Sequence, residues 1–310
     1  MPKFSVIITV YNKEAYIQNT IECVLNQSLQ DFEIIVVNDG STDNSENVIK
    51  NITSEAITYL AIPKNVGASA ARNIGIKAAK GNFIALLDGD DIWDKNYLAE
   101  IVSLINLFPQ HYVFATAVLK EYVNKTSACR YSFMNPKGIT FLDLNYFESS
   151  YKNSLLTSSS TVMHKSIFSE IGFYNESIKS GQDTDLWIRL GIKYRIAFST
   201  KPHVIFTYAP HSLYKSISSV ADRPDYLEYL EYEVEHKELK KFMDLNRYSL
   251  ILRARLWNES QKADVYLNNL DINSLNYKQR MLLHLPASIL KIAFRSQESL
   301  AQLGINLSAF

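Results

Sequence analysis

The sequence predicts an α/β fold: a mostly parallel central sheet with helices on both faces, followed by a C-terminal helical extension. Three observations lead there. Over the first 120 residues, short apolar β-branched runs alternate with segments of helical period. The apolar runs are uninterrupted, as in strands buried on both faces of a parallel sheet. Polar residues gather at the carboxyl ends of those runs, where such sheets bind ligands.

Taken in order, strands are expected at Phe4–Tyr11, Phe32–Asn38, Ile57–Ile62, Phe83–Leu87 and Tyr112–Leu119. Helices are expected between them at Lys13–Gln27, Thr42–Asn51, Gly67–Lys80 and Lys95–Leu107. From Tyr122 to Asn153 the pattern breaks into short polar and aromatic pieces, read as loops with one small helix near Phe141–Phe147. Order resumes at Ser158–Gly172, then a helix from Thr184 to Lys193 and two strands, Arg195–Ser199 and His203–Tyr208. Beyond Ala221 charged helical periodicity takes over, including a helix across Tyr226–Asp244. The division expected is residues 1–218 as one domain, with 1–120 and 121–218 as its halves, and 219–310 as a helical region.

Bulk properties narrow the function. The 310 residues are 47% hydrophobic, enough for a sizeable core. Lys and Arg total 32 against 32 Asp and Glu, a balance that argues against a nucleic-acid binder working through a basic face. Cys23 and Cys129 lie too far apart for a redox or metal-ligand spacing and fit a reducing compartment. The opening FSVIITVY is too short for a signal peptide, and no apolar stretch is long enough to span a membrane. A soluble or peripheral protein is expected.

The stretch FIALLDGDD ends an apolar run in three carboxylates, Asp88, Asp90 and Asp91. Alternate residues of an extended chain face the same way, so Asp88 and Asp90 can address one ion. Hard oxygens with an incomplete shell suit Mg²⁺ or Mn²⁺ that also holds substrate phosphates. The competing reading is a turn whose Asp residues cap the next helix. Thr9, Tyr11 and Asp39 stand at the ends of two other strands. A carboxylate beside an aromatic ring suits a flat ligand that stacks and offers an N–H, as uracil does; helix capping is the alternative for Asp39 to Thr42. In NVGASAARNIG (65–75), small residues allow close helix packing, the amino end can face an anion, and Arg72 adds a cation within reach of a nucleotide. Neither a P-loop nor a dinucleotide G-x-G-x-x-G is present.

Together FSVIITVYN, VVNDGSTDNS, NVGASAARNIG, LLDGDD and GQDTDLWIRL occur in family-like order and spacing. Over about residues 3–215 the chain resembles the family 2 glycosyltransferases of GT-A fold, inverting enzymes that use nucleotide-diphospho-sugars. The resemblance implies a nucleobase pocket of Thr9, Tyr11 and Asp39, with Asp88 as the ribose contact or an outer member of the D-x-D pair and Asp90 as the direct metal ligand. Asp91 is implied to be structural. Asp183 sits where a helix amino end keeps a carboxylate ionised, as a general base requires. In the family this block reads Glu-Asp and the Asp is the base; here Gln182 replaces the Glu, which puts the acceptor contact in question. Helix capping is the competing reading for Asp183 and Asp185; Asp185 is expected to support the loop, and Trp187 to pack its helix or wall the acceptor pocket. The segment Tyr208–Ser218 resembles the family's flexible segment, so His211 is expected to complete the metal shell or bind diphosphate, a surface residue being the alternative, and Lys215, Ser216 and Ser218 to close over phosphates. His164 reads as packing or acceptor-side structure.

The implied activity is transfer of a sugar from a UDP-sugar to a hydroxyl of a glycan or lipid-linked glycan, with Mn²⁺ or Mg²⁺. The expected setting is bacterial surface polysaccharide synthesis: capsule, lipooligosaccharide or exopolysaccharide. The expected location is cytoplasmic, including the cytoplasmic face of the inner membrane. The amphipathic segment Asn276–Phe294, with Lys278, Arg280 and Lys291, suits either a membrane surface or packing against the domain or a second subunit. Two rival classes stand beside this reading. A nucleotidyltransferase would want a glycine- and arginine-containing loop after the first strand, which TVYNKEAY does not supply. A non-catalytic nucleotide-binding or scaffold subunit of a polysaccharide assembly is the other.

Overall fold

The computed structural model describes residues 3–122, 125–134, 138–207 and 219–302. The chain divides into two compact units, Met1–His211 and Ser212–Phe310.

In the first unit the strands are β1 (Phe4–Val10), β2 (Phe32–Asp39), β3 (Ile57–Ile62), β4 (Phe83–Asp88), β5 (Ile92–Trp93), β6 (Val113–Tyr122), β7 (Lys125–Ala128), β8 (Phe141–Leu144), β9 (Thr161–His164) and β10 (Ile196–Phe206). Its helices are α1 (Ile17–Leu25), α2 (Ser45–Lys50), α3 (Ala68–Ala78), α4 (Tyr97–Leu107), α5 (Tyr146–Ser149), α6 (Ile167–Ile171) and α7 (Gln182–Lys193). The strands make one sheet in the order β3-β2-β1-β4-β9-β6-β10-β5, with β7 on β6 and β8 on β10. The run β3-β2-β1-β4 is parallel throughout, and β6 and β10 are parallel to each other. Between them β9 runs antiparallel to both β4 and β6.

Strand alternation explains why both faces are covered. Val6, Ile8 and Val10 of β1 join Ile17, Ile21 and Val24 of α1 and Leu98, Ile101 and Leu104 of α4 in one core. Ile7 faces the other way, toward α3, where Gly75 leaves room: a Cβ there would stand 2.4 Å from the Ile7 methyl. Cys23 and Cys129 are both free.

Several boundaries differ from the sequence reading. Helix α1 starts at Ile17, because residues 13 and 14 are held in the preceding turn: Lys13 N donates to Ser45 Oγ (2.8 Å) and Glu14 N to Asp43 Oδ2 (3.0 Å). The small helix expected at Phe141–Phe147 is the strand β8 followed by α5, whose start is capped by the Asn145 side chain. The two strands expected at 195–208 are one, β10, with register shifts between Ser199 and Val204 around Pro202, where a ladder donor is missing.

The second unit is helical: α8 (Leu230–Glu233), α9 (Lys237–Leu256), α10 (Ser260–Asn268), α11 (Tyr277–His284) and α12 (Ala287–Gln302). The helix expected over Tyr226–Asp244 is broken at His236, which is extended (φ −127°, ψ 94°). Arg247 of α9 is fully buried; it pairs with Glu233 and Asp244 and donates to the Tyr226 carbonyl (2.7 Å). Pro286 ends α11, with Leu285 before it extended. Among the described residues no helix is long and apolar enough to cross a membrane.

Candidate active site

The carboxyl ends of β1, β2 and β4 lie side by side, with Thr9 opposite Val37 on one flank and Asp88 on the other. Past β1, Tyr11 is exposed and Asn12 adopts positive φ; its Oδ1 accepts from Thr42 N (2.8 Å). At the end of β2, Asp39 is buried, and its carboxylate accepts from Val66 N (2.8 Å), Gly67 N (3.0 Å) and Asn65 Nδ2 (3.0 Å). Burial pushes its pKa up, against the pull of the two backbone N–H groups. Asp39 therefore clasps the turn that begins α3. Gly40 (φ +65°) makes this approach possible, since a Cβ there would lie 2.6 Å from Asn65 N.

The acidic turn after β4 divides its three carboxylates among different tasks. Asp91 is 1% exposed, and its carboxylate accepts from Ser159 Oγ and from Thr207 N (3.0 Å). Burial, with Asp88 adding to it, pushes Asp91 well above the usual carboxylate range. Gly89 passes close under Thr9, 2.9 Å from its carbonyl to a Cβ position. Asp90 pairs with the Lys13 ammonium. Its carboxyl is raised by burial; Lys13 opposes that rise and Asp88 adds to it. Asp88 N donates to Ser159 Oγ (3.2 Å), and the Trp93 indole donates to the Ser159 carbonyl (2.7 Å).

Asp183 lies in the first turn of α7, after Gly181 in the left-handed region (φ 86°). Its Oδ1 accepts from Arg72 Nη1 (3.1 Å) and from Ser158 Oγ (3.0 Å). The second Arg72 nitrogen, Nη2, donates to Asp88 Oδ1 at 2.7 Å. The guanidinium is buried over the Tyr174 ring, 5.3 Å from its centroid. Burial works against the Arg72 charge, but Asp183 and Asp88 more than offset it and raise the pKa above the ordinary arginine value. Asp185 pairs with Arg189 (2.6 Å), and the Gln182 Oε1 is buried with no hydrogen-bond partner among the described residues. Trp187 is 2% exposed.

A cavity of about 210 Å³ is lined by Asp88, Asp183, Ser158, Ser159, Thr184 and Trp187, among others. Asp88 and Asp183 thus share one pocket. Thr9, Tyr11, Asp39, Arg72 and Asp90 are not part of that lining. Arg72 sits behind it, between the two carboxylates, and Thr9, Tyr11 and Asp39 sit along the neighbouring strand ends. His211, Lys215, Ser216 and Ser218 lie outside the described residues. His164 packs its ring edge-on to Phe83 and bonds Ser166 Oγ (2.7 Å); burial lowers its pKa. Sequence reasoning did not single out Lys13, Ser158, Ser159 or Tyr174; the SSST run ahead of β9 was the available signal for the serines.

Among the described residues no three His, Cys, Asp or Glu side chains converge to hold a metal ion. The donor set nevertheless fits a hard divalent cation that takes one or two carboxylates and completes its shell with phosphate and water. Asp90 already holds a cationic partner in Lys13, and a cation relieves the burial that raises its carboxyl.

A family model described as Glycosyl transferase family 2 matches residues 5–172. An uncharacterized glycosyltransferase of Rickettsia felis is 32% identical over 192 residues, 61% of this chain and 31% of that protein. The chain covers between 26% and 37% of the length of the first three such curated relatives. The crystal structure of S. aureus TarS 1-349 in complex with UDP aligns over 98% of this chain and 92% of that one, with TM-score 0.70 and 21% identity. The complex of the same protein with UDP-GlcNAc aligns over 86% of this chain and 72% of that one, with TM-score 0.61 and 21% identity. These structures share the fold, a GT-A-like α/β sheet; in this chain its strand ends carry Asp39, Asp88 and the turn to Asp91. With a family match over more than half its length and this sheet beneath it, the chain belongs to glycosyl transferase family 2.

Proposed function

We propose that the chain transfers a sugar from a UDP-sugar to a hydroxyl of a glycan or lipid-linked glycan, inverting the anomeric configuration. The observation that carries this reading is the shared cavity, in which Asp183, a one-third-exposed carboxylate, faces the pocket that Asp88 also lines. Thr9, Tyr11 and Asp39 take the uracil and its ribose with Asp88; Asp39 Oδ1 has a lone pair left for the N3–H after its bond to Val66. TarS, of the same fold, holds UDP and UDP-GlcNAc, which favours a uridine nucleotide here.

Asp183 takes the proton of the attacking hydroxyl, and the acceptor oxygen bonds the anomeric carbon from the face opposite UDP. Asp90, with Asp88 beside it and His211 as a further ligand, would hold Mn²⁺ or Mg²⁺. When bound, that ion supplies Lewis-acid stabilisation of the charge on the departing diphosphate. The surface-polysaccharide setting and a cytoplasmic-face location belong to the same proposal. The exposed apolar residues Tyr277, Met281, Ile289 and Ile292 of the C-terminal helices suit either a membrane surface or self-association.

The test is Asp183→Asn. It is expected to lower turnover by about 10²–10⁴-fold, the usual contribution of a general base, while calorimetric UDP affinity stays near wild type. A parallel collapse of UDP affinity would remove Asp183 from the role of base.

A further inference from the structure

We propose that Arg72 and Ser158 are positioning residues that clamp one oxygen of Asp183, Oδ1, and so reserve Oδ2 as the atom that receives the acceptor's proton. The inference rests on the reading of Asp183 as the base. Its ground is that both donors reach the same oxygen: Arg72 Nη1 at 3.1 Å and Ser158 Oγ at 3.0 Å. Among the described residues Oδ2 accepts no hydrogen bond, although the side chain is 36% exposed on the cavity. Donors split between the two oxygens would leave neither of them clear of a competing hydrogen bond. A carboxylate held by neither donor would rotate about its side-chain torsions and lose alignment.

The donors themselves are fixed. Arg72 is 6% exposed, anchored at its other nitrogen by Asp88 (2.7 Å) and resting on Tyr174. Ser158 belongs to a 3₁₀ turn whose start is closed by reciprocal bonds between Thr157 and Ser160. The clamp therefore comes from two separate elements of the scaffold, a helix and a turn, which is what precise orientation of a reacting group requires. Each terminal nitrogen of Arg72 faces one of the two carboxylates, Nη2 toward Asp88 and Nη1 toward Asp183.

In the step so organised, the acceptor O–H proton passes to Asp183 Oδ2, and its electron pair forms the bond to the anomeric carbon. The anomeric carbon–oxygen bond to the diphosphate breaks, its pair leaving with UDP. Atoms and charge balance without a further reactant.

A double-mutant cycle on the full chain tests the clamp. The readout is UDP release from whichever of UDP-glucose, UDP-galactose and their N-acetylated forms turns over fastest. Ser158→Ala is expected to lower kcat about tenfold to a hundredfold, the range for losing a hydrogen bond to a charged group, with donor KM and calorimetric UDP affinity unchanged. Ser158→Thr restores most of the rate. In an Asp183→Asn background Ser158→Ala has no further effect, because groups acting as one unit are non-additive. Equal losses in both backgrounds, or a loss in donor affinity in place of kcat, would overturn the clamp alone. An Asp183→Asn variant of full activity would instead overturn the base assignment and the clamp with it. Arg72→Lys, which keeps the charge but cannot span both carboxylates, is expected to lower kcat in the same range and, because Arg72 also holds Asp88, to raise donor KM as well. Independently of turnover, a crystal structure with Arg72 and Ser158 on different oxygens of Asp183 overturns the proposal.

Discussion

Asp90 meets a lysine, not a second carboxylate, and this shapes what a metal must do there. Under the proposed function, a divalent ion would compete with the Lys13 ammonium for Asp90. Asp90→Ala should therefore weaken Mn²⁺ binding in the presence of UDP by more than the roughly 10–100-fold that removal of a supporting outer group costs. Electron paramagnetic resonance of free Mn²⁺ reads this directly, and an undiminished response would take Asp90 out of the site. Asp88 and Asp183 were legible as carboxylates at the ends of patterned elements, since charge in such places needs a reason. Ser158 and Ser159 were not: hydroxyls disturb no hydrophobic period, and their partners Asp183 and Asp91 lie 25 and 68 residues away. Nor did spacing reveal that Arg72 would be enclosed by Asp88 and Asp183, because the second of these is 111 residues distant.

At the scale of elements, the turn after β2 and the start of α3 are held as one piece by Asp39. Gly40→Ala forces a Cβ to within 2.6 Å of Asn65 N at a residue with φ +65°. It is expected to cost more than about 1 kcal/mol of stability, the usual penalty where the native backbone excludes a side chain. It should weaken UDP binding as well, both measured by calorimetry with and without nucleotide. Unchanged UDP affinity would separate this turn from the donor pocket. The first four strands and helices α1, α3 and α4 were readable because each carries its own apolar period and ends in turn chemistry. The short β8 was not. Its four residues are too few to show a period, and its strand geometry comes from pairing with β10. The continuity of β10 across Pro202 escaped for a related reason: β6 supports it on both sides of the irregularity.

For the whole molecule, two kinds of interior have to be maintained. Besides its apolar layers the sheet unit buries Arg72 between Asp88 and Asp183, and α9 of the helical unit buries an arginine against Glu233 and Asp244. Arg247→Ala leaves Glu233 and Asp244 with Lys240 as their cationic partner and is expected to destabilise by up to about 3–5 kcal/mol, the cost of breaking a buried pair; scanning calorimetry measures it. A change within about 0.5 kcal/mol, typical of surface substitutions, would mean the acids find other compensation. Within the sheet unit, β9 is stitched by backbone bonds to the parallel block on one side and to β6 on the other. Any opening of one half against the other across that seam would have to unzip a ladder. Amide exchange along β9 should accordingly be among the slowest in the unit.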